Sequence, residues 1–214
     1  MNKTHYIVGA GRFGNDVRCT WEYHLSEFHG SEFAGFIDFN EDLDNVVATP
    51  TNYTSICPHS SHIVLALGDG FNRLQLFNSY FKDNPNYDYS PIISRRVSLP
   101  GSFDDYSYSR CSIIACYSSL SSSLKLGNCL LIHAHAVIGH DVEIMDGVTI
   151  GSFCFLAGGV FVGENTTIYS HSSILPNIKI GKNVTVGVGS VVMHDVPDDV
   201  TVHGNPARIL KRKS

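Results

Sequence analysis

The fold is decided by residues 132–168, which read IHAHAV IGHDVE IMDGVT IGSFCF LAGGVF VGENTT I when divided into sixes. Each group of six opens with an aliphatic side chain. Small or aliphatic residues recur four positions later, as at Ala136, Val142 and Val148. The series runs without a miss over fourteen positions, which are Ile114, Leu120, Leu126, Ile132, Ile138, Ile144, Ile150, Leu156, Val162, Ile168, Ile174, Ile180, Val186 and Val192.

A period of six fits neither the 3.6-residue turn of an α-helix nor the longer units of helical repeat proteins. It predicts a parallel β-helix with three short sides per coil, in which each side takes one hexapeptide and each aliphatic points inward. Eighteen residues per coil give between four and five coils over about 114–194. The turn-rich tail that follows is expected to cap the open end, because a last coil exposes unpaired backbone edges. Glycine often follows the aliphatic directly and is expected to ease a corner, as at Gly127, Gly139, Gly151, Gly163, Gly181 and Gly187.

The composition indicates a folded protein. Of 214 residues, 43% are hydrophobic and 16% charged, which is typical of globular chains and not of disordered ones. The net charge of −5 and the lack of a basic cluster before the last few residues disfavour nucleic acid as a partner. No apolar run reaches the length of a membrane span and no signal peptide is evident, so we expect no membrane partner. The cysteines form no CxxC pair, which favours reduced thiols, buried at Cys154, and a cytoplasmic location.

The first part of the chain has a different pattern, in which strands alternate with helices. Residues 1–95 are predicted to form a small, Rossmann-like α/β domain with a mostly parallel sheet, too short for a full dinucleotide-binding domain. Residues 96–113 are predicted to connect it to a β-helix domain of residues 114–214. The predicted strands are Tyr6–Val8, Phe33–Phe39, His62–Leu67 and Tyr89–Ile93, and the predicted helices run from the first glycines to about Glu27 and from Phe71 to Phe81.

One edge of the predicted prism carries a histidine. His140 follows the inward Ile138 by two residues, so it is expected at a corner and not in the core. Residues eighteen apart stack on neighbouring coils, which are about 4.8 Å apart as in any sheet. A thin ligand could reach His140 past Gly158, which has no side chain to block it. The residues expected on this edge are Ser122, His140, Gly158, Pro176 and His194.

A glycine loop stands near the N-terminus, between a predicted strand and a predicted helix. The motif Gly9-x-Gly11-x-x-Gly14 has the context of a loop that holds phosphates. An NAD site is disfavoured because the domain has half the required size and Asp38 lies farther along the chain than the usual ~20 residues. The alternative is that the glycines only permit tight turns, and that Arg12 is solvated instead of paired with a phosphate.

The hexapeptide run, the closing GNPARIL (204–210), the glycine loop and the segment Val137-Ile138-Gly139-His140-Asp141 together resemble bacterial sugar acyltransferases. The resemblance is to the subgroup of sialic acid O-acetyltransferases and of N-acetyltransferases that modify nucleotide-linked amino sugars, such as the bacillosamine pathway enzyme. It implies a left-handed β-helix, against the usual right-handed crossover, and a homotrimer with active sites between subunits. It also implies a role in surface polysaccharide or glycan assembly.

The resemblance assigns the chemistry to one pair of residues. His140 would act as the general base that takes a proton from the sugar amine or hydroxyl, which then attacks the thioester of acetyl-CoA directly. Asp141 would orient its ring. The cosubstrate would lie against Gly158, Pro176 and Gly187, with a backbone N–H near Gly158 holding the thioester carbonyl. No metal is required.

The nucleotide of the sugar substrate is implied to bind in the first domain. Asp38, at a strand end, would contact the base or the ribose. The residues implied to line this site are Gly9, Gly11, Arg12, Gly14, Asp38, Asn72 and Arg73.

Two positions depart from the family pattern. Thr149 stands nine residues after His140, where relatives often carry a second histidine that contacts the acetyl group. A threonine hydroxyl can still donate a hydrogen bond there. His133 stands where relatives often carry asparagine, and it would either position the acceptor or fill a subunit interface.

Other functions remain open beside N-acetylation of a nucleotide-linked amino sugar. O-acetylation of a sugar hydroxyl would use the same base. A metal-dependent hydratase of the γ-carbonic anhydrase type is less favoured, because His135 and His140 differ in their distance from the inward positions and are expected to leave different corners. The remaining alternative is a binding trimer without catalysis.

Overall fold

The computed structural model describes residues 4–19, 32–101 and 109–212. Contacts between Cα atoms divide the chain into two units, Met1–Ser90 and Pro91–Ser214. None of the helices within the described ranges has both the length and the apolar character needed to cross a bilayer.

The first unit is built on a four-stranded parallel sheet in the order β3-β2-β1-β4. Its core is formed by the buried faces of the strands, with Ile7, Phe36 and Leu65 at most 1% exposed. The strands are β1 (Thr4–Val8), β2 (Glu32–Ile37), β3 (Val46–Ala48) and β4 (His62–Leu65), and the helices are α1 (residues 12–19), α2 (Tyr53–Ile56) and α3 (Gly70–Leu76), which continues into a π-helical turn (Phe77–Phe81).

The structure of this unit departs from the prediction in three places. The short strand β3 was not predicted, and the helix predicted over Phe71–Phe81 divides into α3 and the π-helical turn. The fourth predicted strand, Tyr89–Ile93, is present only at Ile92 and Ile93, which belong to the second unit and pair there with Ile113 and Ile114. The predicted continuation of α1 to about Glu27 lies outside the described residues.

The second unit is a parallel β-helix of about six turns. Its coils are made of two-residue strands that end on the inward aliphatic residue. These strands are β5 (Ile92–Ile93), β6 (Ile113–Ile114), β7 (Ser119–Leu120), β8 (Lys125–Leu126), β9 (Leu131–Ile132), β10 (Val137–Ile138), β11 (Glu143–Ile144), β12 (Thr149–Ile150), β13 (Phe155–Leu156), β14 (Phe161–Val162), β15 (Thr167–Ile168), β16 (Ser173–Ile174), β17 (Lys179–Ile180), β18 (Thr185–Val186) and β19 (Val191–Val192), followed by β20 (Val200–His203) and β21 (Arg208–Arg212).

Three sheets form the sides of the prism, with the orders β7-β10-β13-β16-β19, β8-β11-β14-β17 and β5-β6-β9-β12-β15-β18-β20-β21. Within them residues eighteen apart are paired, as Ile138 is with Leu156. All fourteen aliphatics of the series are at most 5% exposed, which confirms the predicted inward set. Cys154 is also buried and its Sγ donates to the Tyr169 carbonyl oxygen at 3.2 Å.

The corners are turned differently from the prediction. From Tyr117 to Gly189 the left-handed residue of each corner is the third after the aliphatic, for example His135 at φ 62° and Phe153 at φ 60°. The glycines that directly follow an aliphatic have no positive φ. A Cβ on Gly139 would lie 2.7 Å from the backbone nitrogen of Gly158, and one on Gly151 would lie 2.5 Å from that of Ser170. These glycines are therefore required by close approach of the next coil and not by the turn.

Both ends of the β-helix extend past the predicted repeats. Ser98, placed by sequence in a connector, bridges to Ser119, and Val97 packs into the β-helix core. The first coil does not follow the six-residue period, because Ile92 pairs with Ile113, which lies twenty-one residues later in the chain instead of eighteen. At the other end β20 pairs with β18 and β21 runs antiparallel to β20, which provides the expected cap.

Candidate functional site

The predicted base and its acidic neighbour lie together on one corner. The Nδ1 of His140 is 2.8 Å from Oδ2 of Asp141, and the two side chains are 69% and 64% exposed in the single chain. Asp141 takes the left-handed conformation at φ 57°, which brings its carboxylate beside the preceding imidazole. With a carboxylate at Nδ1, the tautomer with hydrogen on Nδ1 is favoured and Nε2 is left as an acceptor. No described residue bonds to that Nε2.

Gly158 lies directly against the imidazole of His140. A Cβ on Gly158 would lie 2.6 Å from both Cε1 and Nε2 of the ring. The missing side chain thus makes room for the ring itself, and not only for a ligand that approaches it. The Gly158 N–H donates to no acceptor among the described residues, so a donor is available next to the base.

The edge is continuous, as the spacing predicted. Paired strands carry Ile138, Leu156 and Ile174 in register, which stacks Gly158 and the exposed Pro176 on successive coils after His140. The Gly159 N–H donates to the His140 carbonyl at 2.9 Å and the Asn177 N–H to the Gly158 carbonyl at 3.0 Å. These bonds fix the coils that carry the base and the free N–H relative to each other.

Three other predicted site residues lie away from this edge within a single chain. Thr149 is on β12 and only 7% exposed, and His133 directly follows β9. Strands β9 and β12 belong to the same sheet, whereas His140 follows β10, which belongs to another sheet. Gly187 follows β18 of the same sheet and packs against the ring of His203. One chain therefore does not bring His133, Thr149 or Gly187 to His140.

A cleft of about 410 Å³ opens at the carboxyl ends of strands in the first unit. Three of the predicted nucleotide residues, Gly9, Asp38 and Asn72, line it. The remaining lining residues were not predicted from the sequence. Phe39 could have been, because it directly follows Asp38 at the end of a strand. The full lining is Val8, Gly9, Ile37, Asp38, Phe39, Pro50, Leu67, Asn72, Gln75, Leu76, Ser79 and Tyr80.

The glycine loop is held in a defined conformation by Asp38. Its Oδ2 accepts the Ala10 N–H at 2.7 Å and its Oδ1 accepts the Asn40 N–H at 3.0 Å. Glycine is required at residue 9 for two reasons. Its φ is 101°, and a Cβ there would lie 3.0 Å from the Ala66 carbonyl oxygen. Gly14 has no space for a side chain because its Cα packs on the Gly9 carbonyl, whereas Gly11 faces open space.

The two arginines predicted for this site differ from each other. Arg73 is 1% exposed, and its Nη1 donates to the Leu67 carbonyl at 2.6 Å. This bond stabilises the loop that follows β4. Arg73 itself does not line the cleft. Arg12 is exposed at the start of α1 and is also absent from the lining.

The histidines weighed for a metal site are separated. His135 lies in a column of parallel rings with Tyr117, Phe153 and His171, at centroid spacings of 5.1, 4.7 and 5.0 Å. This column occupies a different corner from His140, as the phases of the two histidines predicted. The residues that the structure describes include no group of three or more His, Cys, Asp or Glu that could hold a metal ion.

Comparison with known proteins identifies the repeats. Residues 124–158 and 159–194 match the family described as bacterial transferase hexapeptide (six repeats). No curated protein sequence matches the chain.

Solved structures share the fold over nearly the full length. The acetyltransferase domain of PglB from Neisseria gonorrhoeae FA1090, in complex with acetyl coenzyme A, is 21% identical with a TM-score of 0.82, over 98% of this chain and 100% of that one. PerB from Caulobacter crescentus, in complex with CoA and GDP-perosamine, is 22% identical with a TM-score of 0.76, over 97% of both chains. A histidine variant of perosamine N-acetyltransferase from the same organism, with the same ligands, is 22% identical with a TM-score of 0.75, over 97% of both chains. Within the β-helix, residues 124–194 are thus similar to the bacterial transferase hexapeptide family, and the chain as a whole has the fold of these solved structures.

Proposed function

We propose that the protein is an acetyl-CoA-dependent N-acetyltransferase that acts on the amino group of a nucleotide-linked amino sugar, of the dideoxy type. The observation that carries this proposal is the pair His140–Asp141, joined at 2.8 Å, with its ring against Gly158 and its Nε2 without a partner among the described residues. The similar structures with acetyl coenzyme A or with CoA and GDP-perosamine support the choice of cosubstrate and acceptor.

The arrangement suits direct transfer. Nε2 of His140 takes a proton from the sugar amine as its nitrogen attacks the thioester carbonyl carbon. The C–S bond then breaks, the thiolate leaves and receives the proton, and an amide remains on the sugar. Base catalysis of this kind contributes about 10²–10⁴-fold, and Asp141 stabilises the imidazolium that forms. The free N–H of Gly158 is the candidate donor to the oxygen that gains negative charge.

The nucleotide would bind in the cleft of the first unit. The sheet order β3-β2-β1-β4 is that of a nucleotide-binding half domain, in which ligands lie at the carboxyl ends of the strands where the order reverses. Gly9 follows β1, Asp38 follows β2 and Leu67 follows β4, and all three line the cleft. This supports a Rossmann-like site in which the glycine loop faces the phosphates.

We infer further that the coils wind left-handed and that three chains assemble with active sites between them, as the family resemblance implies. Exposure of His140 and Asp141 in the single chain is compatible with a neighbouring subunit completing the site. His133, Thr149 and Gly187, which lie away from His140 in one chain, would contribute from a neighbour.

The test is release of CoA thiol from acetyl-CoA in the presence of a panel of nucleotide-linked 4-amino and 3-amino sugars. Matched sugars with a hydroxyl in place of the amine, and free sialic acid, form the control arm. We expect turnover with at least one amino sugar and little with its hydroxyl counterpart. Turnover with hydroxyl acceptors alone would assign O-acetylation, and CoA binding without any turnover would indicate a binding trimer.

A further inference from the structure

Two consecutive glycines form a notch on the His140 edge. The imidazole of His140, from the preceding coil, lies over the Cβ position of Gly158. Oδ1 of Asn177, from the following coil, occupies the Cβ position of Gly159. Side chains from two coils therefore converge on the Gly158–Gly159 step from opposite sides.

The side chain of Asn177 differs from those of the other asparagines at left-handed corners. Nδ2 of Asn183 donates to Asp199 at 2.8 Å, and Nδ2 of Asn165 to Glu164 at 3.4 Å. Asn177 is exposed, and its amide group has no hydrogen-bond partner among the described residues. Its φ of 62° lies in the left-handed region, which asparagine and glycine both adopt readily, so Asn177→Gly removes the amide without straining the backbone.

The distance along the edge matches the chemistry of the acyl donor. In the pantetheine arm two methylene groups separate the sulfur from the first amide, so in an extended chain the amide nitrogen lies about 4 Å and its carbonyl carbon about 5 Å from the sulfur. Neighbouring coils are about 4.8 Å apart. A thioester held at the Gly158 N–H, with its arm running along the edge, therefore brings this amide to the coil of Asn177.

We propose that the side-chain amide of Asn177 binds the first amide of the pantetheine arm and so positions the thioester against His140. The inference rests on the proposed acetyl transfer. An asparagine side chain carries two N–H donors and one carbonyl acceptor, so it can pair with both the carbonyl and the N–H of that amide.

The test uses Asn177→Gly, which keeps the left-handed backbone, with Asn165→Gly as the matched control on another corner. Three acetyl donors are compared by kcat/KM: acetyl-CoA, S-acetyl-N-acetylcysteamine, which contains the first amide, and the acetyl thioester of 2-mercaptoethanol, which lacks it. We expect Asn177→Gly to lose about 3–10-fold with the first two donors, the effect of one or two ordinary hydrogen bonds. With the third donor it should equal the wild type.

An equal loss with all three donors, or no loss with any, would overturn the inference. Calorimetric titration with CoA separates this from failure of the proposed function. If the wild-type protein binds CoA without transferring acetyl groups, the proposed function fails, and the inference stands only if Asn177→Gly weakens CoA binding by about 3–10-fold. A wild-type protein that does not bind CoA contradicts both.

Discussion

The imidazole of His140 occupies the space that a side chain on Gly158 would fill, with Cε1 and Nε2 each 2.6 Å from the Cβ position. The placement of the base thus depends on a residue eighteen positions later in the chain. Any side chain at residue 158 must displace the ring, and with it the hydrogen bond to Asp141.

Gly158→Ala is therefore expected to lower kcat by about 10²-fold, since a misplaced base forfeits most of its contribution. Thermal unfolding of the purified variant should change little, because the ring can swing into solvent. Ser122→Ala, an equally small change on the same edge one coil earlier, is the control and should retain normal turnover. An unchanged kcat in Gly158→Ala would show that the ring position in the free protein is not the active one.

The glycine loop offers a matched pair of substitutions for stability. Gly14→Ala places a methyl group on the Gly9 carbonyl, whereas Gly11→Ala adds one in open space. We expect Gly14→Ala to destabilise the first unit by about 1–3 kcal/mol, the usual cost of overpacking, and Gly11→Ala to leave its unfolding midpoint unchanged. Urea titrations followed by circular dichroism measure both. Equal midpoints would mean that the loop can move away from α1 at no cost.

The aromatic column predicts an unusual dependence of stability on an exposed residue. Phe153 stacks between His135 and His171 although it is 52% exposed. Aromatic pairs contribute about 0.5–1.5 kcal/mol each beyond burial, so Phe153→Ala is expected to cost about 1–3 kcal/mol. Phe155→Ala, at a similarly exposed position without a ring stack among the described residues, should cost less. A greater loss at residue 155 would contradict a stabilising role for the column.

Alkaline pH should weaken the first unit through a buried thiol. Burial raises the pKa of Cys57 to about 11, so between about pH 9 and 11 the folded protein keeps a proton that the unfolded chain has lost. The free energy of unfolding then falls as pH rises, by up to about 3 kcal/mol from this group. Burial also raises the pKa of Tyr6 and of Tyr87, which act in the same direction.

Replacing the thiol isolates its share of this pH dependence. Cys57→Ala should show a shallower decrease in unfolding free energy than the wild type between pH 9 and 11, while the tyrosine contribution persists. Identical decreases would show that Cys57 does not titrate differently in the two states.

The sequence was sufficient for the β-helix where its period was strict. The inward series from Ile114 to Val192 followed from spacing alone, because each coil has room for one branched side chain per side. The same arithmetic placed His140 and Gly158 on adjacent coils. It failed at Ile92, where an interval of twenty-one residues to Ile113 breaks the period, and at β3, where three residues are too few to show an alternating pattern.

The glycine assignments show a second limit of sequence reasoning. Gly139 was predicted to turn a corner, but the turn is made two residues later by Asp141 in the left-handed conformation. Period-six spacing cannot distinguish a glycine required by φ from one required by close approach of another coil. Asn177 was missed for a related reason, since its relation to Gly159 depends on how its side chain leans toward the preceding coil. For Arg73, position after a strand suggested a ligand contact, and burial could not be read from the sequence.

The measurement that tests the central claim most directly is the turnover of His140→Ala with acetyl-CoA and an amino sugar that the wild-type protein acetylates, recorded beside its calorimetric affinity for CoA. With the base removed and the Gly158 N–H and Asn177 left in place, we expect turnover to fall about 10²-fold or more and CoA to bind as before. Near-normal turnover in this variant would contradict the account.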